Sequence, residues 1–100
     1  MITKHEPPHD RPVANPAVVF REEFDDWAVL FNPDTAEAAG VNPVGAAVWK
    51  MMDGRRKLDE IVAAIGEEFS EVPGAAADEV AAFVADLAEK GFVGYEETGG

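Results

Sequence analysis

Few residues in this chain can do chemistry. His5 and His9 stand four apart with Glu6 and Asp10 beside them, a grouping that suits a surface metal site. Pro7, Pro8 and Pro12 interleave them, so nothing local fixes the ligand set that a metal needs. Beyond that segment the chain has no histidine, no cysteine and one serine, Ser70. No nucleophile–base pair can be assembled from this inventory. Carboxylates are plentiful, and Asp25-Asp26, Glu67-Glu68 and Asp78-Glu79 are adjacent pairs. Neighbours on a helix or strand point in different directions, so these pairs read as solvated faces rather than acid–base dyads. The glycines are scattered, and Asp53-Gly54 lacks the lysine and glycine pattern of a phosphate loop. Arg55-Arg56-Lys57 is the single concentration of positive charge. It reads as a solvated helix–helix turn or as a contact for an acidic peptide. The inventory predicts a protein without catalytic activity, metal or cofactor.

The same composition excludes other classes. Without cysteine there are no disulfides, thiolate zinc sites or cysteine-held iron–sulfur clusters. A formal charge of -12 repels the phosphate backbone of nucleic acids and anionic membranes, and suits a basic partner surface. No apolar run approaches the roughly 20 residues of a membrane span. MITKHEPPHDRP has no apolar segment of the secretory kind, so the expected location is the cytoplasm. At 100 residues the chain suits one small domain.

The elements that must position any site follow from the patterning. Residues 1–15 read as a flexible, proline-rich tail, 16–96 as the domain, and 97–100 as a frayed end. Val18, Phe20, Glu22 and Phe24 alternate with Val19, Arg21 and Glu23 as a strand does. After Asp25-Asp26, the run Trp27–Phe31 is apolar on both faces, which predicts a central strand. Asn32-Pro33-Asp34-Thr35 is a turn signal, and Ala36 to Val41 is a third strand of small residues. At Asn42 the period becomes helical: Asn42 can cap and Pro43 suits a first turn. Asp53-Gly54 stops this helix. A second carries Leu58, Ile61, Val62, Ile65 and Phe69, and a third runs from about Ala75 to Lys90 before Gly91. Phe92, Val93 and Tyr95 are set to add a short strand or to pack over the core. Three antiparallel strands followed by three helices make an α+β, winged-helix-like fold.

The third helix has an apolar stripe of Val80, Phe83, Val84 and Leu87. One flank is alanine (Ala77, Ala81, Ala85, Ala88), and the other holds Glu79, Asp86 and Lys90. An alanine flank lets another chain lie close. It also follows from helix propensity alone.

NPVGAAVWKMMDG, then LDEIVAAI, then DEVAAFVADLAEKGFV, in this order and spacing, resemble the PqqD-like family of peptide chaperones, also called RiPP recognition elements. The matching positions are Asn42, Gly45, Val48-Trp49, Met51 to Gly54, Ile61 and Lys90-Gly91. VVFREEFDDWAVLFNPDTAEA is similar to the subgroup found in SynChlorMet cassettes. The third strand is smaller-chained than is usual in such relatives, and Lys57 replaces a common threonine cap. The resemblance implies binding of the leader of a ribosomally made precursor peptide, presented to a modifying enzyme, usually a radical SAM protein. It implies a leader strand added to the edge Glu37, Ala38, Ala39, Gly40 and Val41, against a helix wall of Ala77, Ala81, Val84 and Ala88. An open strand edge supplies backbone donors and acceptors for such an addition.

Two other functions fit the order of elements. One is a small structural or dimerisation domain without a ligand, for example a homodimer. The other is a winged-helix DNA binder, which the acidic third helix (Asp78, Glu79, Asp86 and Glu89 against Lys90) disfavours.

Overall fold

The computed structural model describes residues 11–95. His5 and His9 lie outside them. Among the described residues the order is β1 (Pro12–Ala14), β2 (Val19–Glu22), β3 (Ala28–Asn32), β4 (Glu37–Val41), α1 (Pro43–Met51), α2 (Leu58–Glu68), α3 (Ala77–Glu89) and β5 (Val93–Tyr95).

Strands β2, β3 and β4 form an antiparallel meander with β3 in the middle. Inward alternation puts Ala28, Leu30, Asn32 and Val41 against the helices, and leaves Val19, Phe31 and Ala38 outside. Phe24 departs from the face expected of it and stands exposed. Asp25 and Asp26 both take left-handed backbone (φ 54° and 66°), and the Trp27 N–H donates to the Phe24 carbonyl at 3.0 Å, so the chain reverses at Phe24 instead of continuing as a strand. The helices cover the inner face with Val44, Val48, Ile61, Ile65, Val80, Val84 and Leu87. Phe20 of β2 stacks parallel to Trp49 of α1, ring centroids 6.4 Å apart.

The α+β class and the three-stranded sheet with three helices hold. A second sheet is added to them. β1 pairs antiparallel with β5, Pro12 opposite Tyr95 and Ala14 opposite Val93. Pro12 to Ala14, expected to belong to the tail of residues 1–15, is a strand with Pro12 fully buried. Backbone hydrogen bonds tie it to the loop after α1 and to the start of β5. Ala14 N–H donates to Met52 O at 2.9 Å, Asn15 N–H to Phe92 O at 2.9 Å, and Pro12 O accepts from Gly54 N–H at 3.1 Å. Proline at the start of a short edge strand costs no needed donor.

Candidate functional site

β4 ends where α1 begins, and the junction is built by Asn42. Its Oδ1 accepts the Gly45 N–H at 2.8 Å, satisfying one of the free donors at the start of α1, and Pro43 occupies the first turn. Gly45 is buried because two neighbours press on it. A Cβ there would stand 3.0 Å from the Phe83 ring and 3.0 Å from the Val41 Cβ. Glycine at position 45 thus lets the end of β4, the start of α1 and the Phe83 side of α3 meet.

A cleft with a cavity of about 190 Å³ lies at this meeting point, lined by Asn42, Val44, Gly45, Val48, Gly74, Glu79, Val80 and Phe83. Its walls are apolar except at the mouth, where Asn42 and Glu79 stand. The Gly74 N–H donates to Glu79 Oε1 at 3.1 Å, which ties the loop before α3 to the helix.

The expected site residues fall in two places. Glu37 to Val41 is β4, which pairs with β3 alone, so among the described residues its other edge is open. Ala38 and Gly40 are exposed, and Ala39 and Val41 turn toward the core. The helix wall is a different matter. Val84 is fully buried in the core and offers no surface. Ala77 lines a groove with Val62 and Gly66 of α2. At about 100° per residue, Ala81 and Ala88 lie on the same side of α3 as Ala77. Phe83 and Glu79, which share the cleft with Asn42 and Gly45, are on the opposite flank. The end of β4 thus meets the Phe83 side of α3 across Gly45, whereas Ala77 lines a groove against α2. A helical wheel gives two flanks but does not say which one the sheet meets. Gly45 and Phe83 were the sequence signals for the flank that meets the end of β4, one a glycine inside a helix and the other an aromatic at the border of the stripe.

The basic turn has local work. Asp53 Oδ1 accepts from the Arg55 N–H at 2.9 Å and the Arg56 N–H at 3.3 Å, and its Oδ2 pairs with the Arg56 guanidinium at 2.9 Å. The Arg55 N–H, first, and the Arg56 groups after it hold the Asp53 carboxyl below its ordinary range. Lys50 is held above its ordinary range by its hydrogen bond to Glu22, at 2.6 Å. Both are surface ion pairs and belong to turns and edges. Among the described residues no group of three histidine, cysteine, aspartate or glutamate side chains could hold a metal ion, and no helix is long and apolar enough to cross a membrane.

The fold recurs in solved structures. One is TbiB1 in complex with the TbiA(beta) leader peptide, with a TM-score of 0.66 and 28% identity, covering 81% of this chain and 93% of that one. Another is lasso peptide synthetase B1 complexed with the leader peptide, at TM-score 0.66 and 18% identity, covering 83% of this chain and 96% of that one. No curated protein matches the chain. The family model for coenzyme PQQ synthesis protein D (PqqD) matches residues 28–93, from β3 through the cleft to β5, and the chain therefore belongs to the PqqD family.

Proposed function

We propose that the chain is a non-catalytic adaptor that holds the leader of a ribosomally made precursor peptide for a separate modifying enzyme. The carrying observation is the open edge of β4 running into the cleft between α1 and α3. Two similar structures were determined with leader peptides bound, which supports the same use here. The leader adds as a fourth strand beside Glu37 to Val41, since an unpaired edge offers ladder bonds to any extended chain. Its side chains then enter the cleft, where apolar walls give selectivity. The client is a radical SAM enzyme, the natural supplier of chemistry that this chain's residues do not provide. The pair works in the cytoplasm, and the adaptor acts as a monomer or as a homodimer that leaves β4 free.

The test is a titration with the synthetic leader of a precursor peptide encoded in the same gene cluster. Heat of binding is expected by calorimetry. Alternate amides of β4 should become slower to exchange with deuterium, because in a strand every second N–H points to the added neighbour. Binding with unchanged exchange in β4, and slowed exchange elsewhere, would move the peptide off this edge.

A further inference from the structure

Resting on that reading, we infer that the groove selects a basic leader segment, with lysine or arginine on either side of an apolar residue that enters the cleft. The cleft itself is apolar, with Val44, Val48, Val80 and Phe83 as walls, so it accepts an aliphatic or aromatic side chain. What frames it is acidic. Glu79 stands at its mouth, and no cation among the described residues pairs with it. At the far end of β4 stand Asp34 and Glu37, both exposed and likewise without an ion pair. Asn42, which shares the cleft with Glu79, lies five positions after Glu37. At about 3.3 Å per residue that is roughly 17 Å, so two cations about four or six residues apart, an even spacing that keeps both on one face of an added strand, meet both acidic ends. Compensation from this chain is remote. Arg55 to Lys57 follow the far end of α1, whose nine residues span about 13 Å, and Arg56 is already taken by Asp53. On the cleft flank of α3, Lys90 is paired with Asp86 at 3.1 Å. With a formal charge of -12 on the whole chain, the field of the protein points the same way.

The test selects peptides from a random 12-residue display library on the full chain, on Glu79→Lys, and on Glu67→Lys, an exposed α2 position away from the groove. Peptides enriched on the wild type are expected to be basic, with lysine or arginine flanking an apolar position. Synthetic copies should lose about tenfold in affinity on Glu79→Lys and little on Glu67→Lys, because charge at a rim acts locally once salt screens it. Replacing the peptide's matching lysine by glutamate should restore binding to Glu79→Lys. Enriched peptides that are neutral or acidic would overturn the inference and leave the adaptor reading standing. Basic peptides equally sensitive to Glu79→Lys and Glu67→Lys would reduce it to diffuse attraction and overturn it too. Absence of any enriched peptide on any variant would remove the adaptor reading with it.

Discussion

Phe83 joins the two halves of the cleft. It is half-buried, it rests on Gly45, and it forms one wall of the cleft. Phe83→Ala should therefore separate binding from folding. A fully buried phenylalanine costs roughly 3–5 kcal/mol on truncation. Phe83 is only partly covered, so a loss nearer 1–3 kcal/mol is expected, with the domain still folded by circular dichroism. Leader affinity should fall about tenfold or more, as loss of a central aromatic wall usually brings. Ala77→Glu, on the other flank, should leave the affinity within about twofold. Calorimetry on both variants checks this, and equal losses would put the peptide elsewhere. At this scale the sequence was legible where a residue acts on its own neighbours. Asn42 is a cap that any reading of Asn-Pro before a helical period finds. Val84 and Phe83 were not separable, because both sit on one apolar stripe and only the packing of α1 decides which is covered.

Among the elements, the β2–β3 hairpin carries two consecutive left-handed residues. Its turn places Asp25 and Asp26 at φ 54° and 66°, positions where a primed turn prefers asparagine and glycine. A non-glycine residue in this region costs about 1 kcal/mol or more. Asp26→Gly should relieve it there, offset in part by the freer unfolded chain that glycine brings, so a net gain of about 0.5 kcal/mol and a rise of about 2–4 °C in the melting temperature are expected. A thermal scan that shows no rise would mean the turn relaxes at no cost in the parent. The Asp-Asp turn was legible as a reversal but not as a strained one, since its backbone hand depends on the twist of both strands. β4 was legible despite its small residues, because the turn before it and the cap after it bound its length. β1 was not: Pro12-Val13-Ala14 sits among prolines, and its partner Val93–Tyr95 lies some 80 residues away in sequence.

For the molecule as a whole, charge makes a prediction about nucleic acid. The element order of a winged helix is present, yet α3 exposes Asp78, Glu79, Asp86 and Glu89. Duplex DNA should not be retarded by this protein at about 0.15 M salt, since phosphate contacts supply nonspecific affinity and an acidic helix forfeits them. A salt-sensitive mobility shift, abolished by Arg55→Glu with Arg56→Glu, would revive the DNA reading. Family membership was legible as a chain of weak motifs whose order is specific, and the fold they imply is the one found, apart from the clasp of β1 on β5.

That clasp has an architectural consequence. Because Pro12 faces Tyr95 across one antiparallel pair, the polypeptide enters and leaves the domain side by side, about 5 Å apart between paired strands. A domain with adjoining entry and exit can be spliced into a surface loop of a larger enzyme, or swapped between hosts, without stretching either flank. The open edge of β4 belongs to the other sheet, so such a graft would leave it unpaired. The geometry thus makes this fold portable, equally suited to stand alone or to sit as a cassette within a larger chain.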